Sequence, residues 1–302
     1  MEILPPTGLL PFEVLFDKSE LNRALPPELL RFVGNIGFPA PPTERPWVFA
    51  NFVESLDGLV SFGGRRHSGE WVARSRHDRW MMDFLRAHAD AVLYGARSLV
   101  LETLTGAIPG GPVYRIVHPE LLRYRSERLG RKKLIVIVVT GSGTLRPADY
   151  RLFQSQDVEA WIATTPEGRA RLGDPGRARV LVAGEGSAVD LGSLLRQLRS
   201  EHGIEYLLSE GGPTLYGHLA RGKLVDEKFV TIAPQEIGPG IPPEQELTDW
   251  EKRSGAATRP TSFAGTGFPI EQAPWYRWIS CRKAGDHALN RYRRAGSATG
   301  SV

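Results

Sequence analysis

Cysteine is almost missing from this chain of 302 residues: Cys281 is the only one. An intrachain disulfide is therefore impossible, and a cysteine-based metal framework is excluded. Long apolar runs are missing too. The longest in the body, Leu134 to Val139, is far too short to cross a bilayer. The opening MEILPPTGLLPF lacks a basic start followed by a long apolar stretch, so no signal peptide is expected. Charge is mild, at +4, and lysine is scarce, with seven against 31 arginines. No concentrated basic stripe of the kind nucleic acid requires is visible. These absences predict a cytoplasmic protein with no membrane and no nucleic-acid partner.

Several catalytic signatures are also missing. No G-x-x-x-x-G-K-[ST] occurs, no nucleophile elbow, and no zinc-deaminase pattern of H-x-E with P-C-x-x-C. Gly184 to Asp190 (GEGSAVD) is only a partial dinucleotide fingerprint, because the third glycine is lacking. None of the seven histidines stands at ligand spacing from another, so no metal is expected. His88 and His202 end helical stretches, where a helix dipole accounts for them. His67 lies in a glycine-rich loop, SFGGRRHSGEW, which reads as mobile and solvated.

What is present is a soluble composition, 41% hydrophobic and 24% charged, with strands and helices in alternation. Strands are expected at Trp47 to Val53, Leu59 to Phe62, Ala91 to Gly95, Lys132 to Thr140, Val158 to Thr165, Ala178 to Gly184, Ile204 to Ser209, Val225 to Ile232 and Tyr276 to Arg282. The β-branched run KKLIVIVVT suggests a strand covered on both faces. Ser75 can cap a helix running to His88, and Leu191, Leu194, Leu195 and Leu198 mark another. The fold class that follows is α/β, with a mostly parallel central sheet flanked by helices. Residues 1–45 read as a proline-rich extension that wraps the body or meets a partner. Residues 46–283 form the body, and residues 284–302 read as a disordered tail.

The richest segment is LLSEGGPTL, Leu207 to Leu215. A short apolar strand meets an acid, two glycines and a Pro-Thr that opens a helix. Uncovered N–H groups there make a seat for an anion. An ordinary turn needing glycine for its backbone angles is the competing account. Glu210 is the best candidate for a working carboxylate. Ligands of parallel sheets bind beyond the carboxyl ends of the strands. Gly95, Ser98, Thr140 to Gly143, Thr164, Thr165 and Gly184 to Gly186 all fall at such ends. Asn51, a polar residue inside an apolar strand, is costly unless hydrogen-bonded, which points to ligand contact. Asp57 in SLDG is a strong turn former and also a candidate acid.

RPWVFANFVESLDG, then SGEWVARSRHDRWMMDFLRAHADAVLYGARSLV, then LLSEGGPTLYGHLARGKLVDEKFVTIAPQEIG occur in that order. Together they resemble the reductase domain of bacterial riboflavin biosynthesis, whose fold is that of dihydrofolate reductase, over roughly residues 45 to 283. The resemblance implies an NADPH-dependent enzyme that reduces the ribosyl group of a phosphorylated pyrimidine to ribityl, works as a homodimer, and stands alone without a deaminase half. It places Gly95, Ala96 and Ser98 along the nicotinamide and pyrophosphate, and Thr140, Ser142 and Thr164 near the adenosine and its 2′-phosphate. Gly211, Gly212 and Thr214 would hold the pyrophosphate. Asn51 and Ser55 would face the substrate, and Asp57 and Glu210 match acids beside the reacting sugar.

Departures from the family pattern bear on the substrate. Where many members read D-D-P-x-L-T-V-R, this chain reads LETLTGAIPGGPVYRI. Glu102 stands in for the first acid, with Arg115 as the candidate arginine. Arg97 replaces a glycine. Reduction of another pyrimidine or pteridine is thus an alternative, as is a catalytically idle nucleotide-binding relative.

Overall fold

A computed structural model describes residues 6–19 and 25–295. The chain enters through a short strand, β1 (Glu13–Asp17), and a helix, α1 (Pro27–Val33), before the long strand β2 (Trp47–Glu54). Two helices follow, α2 (Glu70–Ala73) and α3 (Arg76–His88). Then come β3 (Ala91–Gly95), α4 (Ala96–Leu104), α5 (Pro119–Arg123) and β4 (Ile135–Thr140). The middle of the chain alternates: α6 (Arg151–Gln154), β5 (Glu159–Thr164), α7 (Pro166–Arg171), β6 (Arg179–Val182), α8 (Leu191–Ser200) and β7 (Tyr206–Ser209). The last part holds α9 (Pro213–Arg221), β8 (Glu227–Ile232), α10 (Asp249–Ser254), β9 (Tyr276–Ala284) and β10 (His287–Arg294).

All ten strands join one sheet in the order β1-β9-β10-β8-β2-β7-β3-β4-β5-β6. Every pairing from β8 to β6 is parallel, and the three at the other edge are antiparallel. The mostly parallel α/β sheet expected from the alternation is therefore present. Strand residues bury alternately to the two faces, as period two requires. Phe49, Val92, Val136 and Leu208 face α1, α3 and α5. Val48, Ala50, Leu93 and Ile137 face α8 and α9. The two-sided burial of β4 explains its unbroken β-branched run.

Local signals set the helix ends. The Ser75 hydroxyl accepts the Asp78 N–H at 3.3 Å and starts α3, and the Asp190 carboxylate accepts the Ser193 N–H at 3.1 Å and starts α8.

Three expectations change. The tail expected from residue 284 onward is, as far as Ala295, the strand β10, and residues 296–302 lie outside the described residues. β10 sits between β8 and β9, and its Arg291 donates twice to the buried Glu227, at 3.0 and 2.6 Å. A paired, buried arginine cannot be told from a solvated one by composition. The strand expected at Leu59 to Phe62 reduces to one bridge, Leu59 to Thr261, because Gly63 and Gly64 turn the chain at positive φ. The loop around His67 is anchored rather than free. Ser61 Oγ donates to the His67 carbonyl at 2.8 Å, and the Gly64 N–H donates to Glu251 at 3.1 Å.

The proline-rich start is woven into the body. β1 pairs with β9, and Phe12, Leu29, Phe32, Val33, Ile36 and Phe38 belong to the same core as α3.

Candidate functional site

The carboxyl ends of β3 and β7 abut. Gly95 caps the start of α4 and Gly212 the start of α9, and neither helix receives a side-chain cap. Two sets of helix N-terminal donors thus lie side by side, an arrangement suited to a diphosphate. Gly211 and Gly212 are demanded by space and not by backbone angle, whereas a β-carbon on Gly95 would stand at an ordinary 3.7 Å from Leu215 Cβ. Gly212 has φ −62°, and a β-carbon there would overlap Ser98 Oγ. One on Gly211 would stand 2.5 Å from Leu215 Cδ2 and 3.3 Å from the Gly95 nitrogen. Beneath this seat the buried Ser209 Oγ has no hydrogen-bond partner among the described residues. Thr214, in the first turn of α9, is exposed.

Beyond β4 and β5 lies a second turn cluster. Thr164 is fully buried and donates its hydroxyl to the Thr140 carbonyl at 2.7 Å, while Thr140 Oγ1 accepts the Gly143 N–H at 3.2 Å. Both hydroxyls shape the turn itself. The exposed Ser142 and the half-buried Gly141 remain as the surface available to a ligand.

Behind the glycine seat is a buried ionic cluster in which sequence reasoning found only Glu210 and Glu102. Arg86, in the last turn of α3, donates from Nε and Nη2 to the Glu210 carboxylate at 3.0 and 2.6 Å. It also donates to Tyr94 Oη at 2.9 Å and to Asp83 at 3.3 Å. Tyr94 donates to Glu210 as well. Burial works against the Asp83 charge, but His118, Arg86 and the Val117 N–H hold its carboxyl below the usual range. Asp78, nearby on α3, is pushed up by burial against the pull of a bond with Thr231.

Tyr94 stacks on Tyr114 at 3.6 Å between ring centres, and Tyr114 Oη donates to Glu102 at 3.3 Å. Tyr114 holds φ +59°, a left-handed conformation unusual for a bulky residue. Burial pushes Glu102 up to about 7. Three candidate acids thus have three environments. Glu210 is clamped by an arginine. Glu102 is poised near neutrality. Asp57 is held low, first by Ser55 Oγ at 2.5 Å, then by the N–H groups of Ile237 and Gly238 at 3.1 and 2.7 Å.

The structure does not bring every candidate to one place. Asp57 clasps the turn after β2 to the loop after β8, and Ser55 is buried beneath it. Asn51 borders a small cavity of about 10 Å³, room for one water, with Thr231, Arg282 and Asn290. Arg115 turns outward to an exposed pair with Asp157 at 2.5 Å, and only its carbonyl meets Arg86, at 2.9 Å. His67 is half-buried, and burial lowers it, with Glu251 and Arg97 among the charges it feels. Arg86, Tyr94, Tyr114 and Asp78 escaped the sequence reading. A buried arginine in a helix and two tyrosines in apolar segments look like surface and core. Among the described residues no three His, Cys, Asp or Glu side chains converge on a metal position, and no helix is long and apolar enough to cross a membrane.

The chain is similar to proteins of known name. The 2,5-diamino-6-ribosylamino-4(3H)-pyrimidinone 5′-phosphate reductase of Methanothermobacter thermautotrophicus is 31% identical over 199 residues, 64% of this chain and 80% of that protein. The protein of the same name from Archaeoglobus fulgidus is 30% identical over 196 residues, 64% of this chain and 83% of that one. The fold matches that of the diaminohydroxyphosphoribosylaminopyrimidine deaminase/5-amino-6-(5-phosphoribosylamino)uracil reductase of Thermotoga maritima, with a TM-score of 0.61 at 18% identity. That match covers 83% of this chain and 57% of the Thermotoga protein, so this chain spans just over half of its length. The architecture is dihydrofolate-reductase-like, and, with the family model matching residues 46–254, the chain belongs to the RibD C-terminal domain family.

Proposed function

We propose that the chain is an NADPH-dependent reductase of a phosphoribosylamino-pyrimidine, turning the ribosyl group into a ribityl chain in riboflavin biosynthesis. The observation that carries this reading is the pair of uncapped helix starts, α4 and α9, packed against the Arg86–Glu210–Tyr94 cluster. The residues present fit a nicotinamide dinucleotide. Ala96, Ser98, Gly211, Gly212 and Thr214 would hold its diphosphate through backbone N–H groups and hydroxyls. Ser142 and the turn of residues 141–143 would meet its adenosine end. When bound, the cofactor supplies the hydride.

The chain's own groups set the acid–base side. Opening the sugar ring and reducing C1′ requires a proton, and a carboxyl near neutrality is suited to carry one. Glu102, bonded to Tyr114, fits that role better than the clamped Glu210 or the ionised Asp57. Glu210 fixes Arg86 and Tyr94, and Asp57 with Ser55 shapes the rim, while Asn51 is kept as a substrate-facing candidate on β2. A second substrate, another pyrimidine or a pteridine, is favoured by one observation: Arg115 faces Asp157 instead of the cluster.

We also place the enzyme in a reducing, cytoplasmic setting, in keeping with the buried, unpaired Cys281. We assign it a homodimer through the apolar surface at the start of β9, where Trp275 and Trp278 are 75% and 49% exposed. Sedimentation tests the dimer. The functional test is NADPH oxidation with the phosphoribosylamino-pyrimidine beside an NADPH binding titration. Turnover supports the full reading. Binding without turnover moves the search to other pyrimidines and pteridines, and absence of binding leaves the idle relative.

A further inference from the structure

The amino ends of the same strands border a second cavity, of about 570 Å³. β3 separates the two places: Asp90, just before it, lines this cavity, and Gly95, at its end, belongs to the glycine seat. A volume of this order suits a ligand of mononucleotide size.

The walls are basic and their acids are spent. Arg125, Arg131, Lys132 and Lys133 face Asp90 and Glu205. Asp90 pairs with Arg131 and accepts the N–H groups of Glu205 and Tyr206 at 2.8 and 2.9 Å. Glu205 pairs with Arg199 at 3.4 Å. Lys132 and Lys133 are exposed and have no carboxylate partner among the described residues.

Arg125 is the stronger sign. It is 4% exposed, and its donors go only to backbone carbonyls, among them Lys132 at 2.8 Å, Ala87 at 3.1 Å and Arg86 at 3.2 Å. Its hydrogen bonds are met, but its charge has no counter-charge. A buried cation in that state is costly. Burial alone lowers it to about 10. Tyr124 and Arg125 open a π-helical turn, Tyr124–Arg128, a geometry that recurs at functional sites. His202, also on the wall, has a shielded Nε2 without a hydrogen-bond partner among the described residues. His88 is neutral: burial drives it down to about 3, its Nδ1–H donates to the Phe84 carbonyl at 2.9 Å, and Nε2 accepts Tyr124 Oη at 3.0 Å. Phe38, Tyr124 and Tyr206 add ring surface to the wall, beside the aliphatic Ile36, Leu129 and Ile135.

We propose that this cavity is a second ligand site for a phosphomonoester bearing a planar ring, its phosphate drawn to Lys132 and Lys133 beside Arg125 and its ring seated against Phe38 and Tyr206. The inference does not rest on the reductase reading, since the site lies at the other end of the strands.

The test is calorimetric titration of guanosine 5′-monophosphate into the full chain saturated with NADP⁺, repeated with the Lys132→Glu/Lys133→Glu variant and with inorganic phosphate. The proposal expects one nucleotide site under NADP⁺ saturation, weakened about tenfold or more by the charge reversal. It expects inorganic phosphate to bind about tenfold more weakly, because the ring contributes. Both lysines are exposed, so the variant keeps its fold, checked by circular dichroism, and keeps its NADPH affinity. No nucleotide binding, binding unchanged in the variant, or competition between nucleotide and NADP⁺ overturns the site. Equal affinity for inorganic phosphate overturns the ring seat. Loss of turnover alone touches the reductase reading and leaves this one standing.

Discussion

Arg86 and Glu210, 124 residues apart in the chain, form a two-pronged ion pair inside the protein, with only 4% and 7% of their side chains exposed. The acid that follows β7 therefore does not stand open to substrate. Its charge is balanced by α3, and the pair ties that helix to the glycine seat.

Removing Arg86 leaves Glu210 buried without a counter-charge, and removing Glu210 leaves Arg86 buried with only the longer contact to Asp83. Arg86→Met or Glu210→Ala should each cost about 3–5 kcal/mol of stability. Urea denaturation measures it. The double variant Arg86→Met/Glu210→Leu should recover part of the loss, because neither Arg86 nor Glu210 is then left as a lone charge, while Asp83 keeps His118. Double-variant stability no better than that of either single variant refutes the clamp. Glu210→Gln distinguishes clamp from catalyst: a loss of stability as large as its loss of turnover assigns Glu210 to the former.

Gly212 has no room for a side chain because Ser98 Oγ occupies the place. Gly212→Ala should destabilise by about 1–3 kcal/mol through overpacking and weaken NADPH binding. Adding Ser98→Ala should relieve the clash and restore stability. If the single variant is as stable as the parent, glycine is there for another reason.

Glu102 gives a pH signature. Its folded-state value of about 7 lies above its ordinary 4.5, so the folded protein holds this proton more tightly than the unfolded chain. The contribution favours folding below about pH 4.5 and is lost as pH rises through about 7. Glu102→Gln should therefore be more stable than the parent at pH 8, by about 2–3 kcal/mol, and nearly equal to it at pH 4. Turnover in the parent should fall as pH rises past neutrality, and the variant should lose about a hundredfold or more. Thermal melts at the two pH values and a pH–rate profile check both halves. A stability difference that ignores pH removes Glu102 as a buried titrating group.

Much of the fold was legible because burial on both faces leaves a strong trace. The β-branched run Lys132 to Thr140 suggested the covered strand that forms at Ile135–Thr140, and Ser75 announced α3. β10 was illegible because HALNRYRR carries the composition of a solvated tail, and only Glu227, far along the chain, makes Arg291 a core residue. The candidate site split in the same way. Turn glycines at Gly95, Gly211 and Gly212 were readable from local pattern. Arg86, Tyr94 and Tyr114 were not, because their meaning lies in partners brought together by the sheet.

The N-terminal segment yields the last prediction. Phe32 is almost fully buried and meets Trp80 edge-on at 4.7 Å, with Phe12 packed on Phe32 at 5.5 Å. Trp80 is on α3, the helix that carries Arg86. α1 is thus part of what holds the ionic cluster in place, although it precedes the matched region of residues 46–254. Phe32→Ala should cost about 3–5 kcal/mol, the range for emptying a packed aromatic site. Leu15→Ala on β1, where the side chain is 54% exposed, should stay within about 0.5 kcal/mol. Because the void would open beneath α3, Phe32→Ala should also lower turnover at temperatures where the protein remains folded, through the loosened position of Arg86. Denaturation midpoints and activity below the melting transition decide it: a Phe32→Ala protein as stable as Leu15→Ala would make the segment an appendage, not a wall of the core.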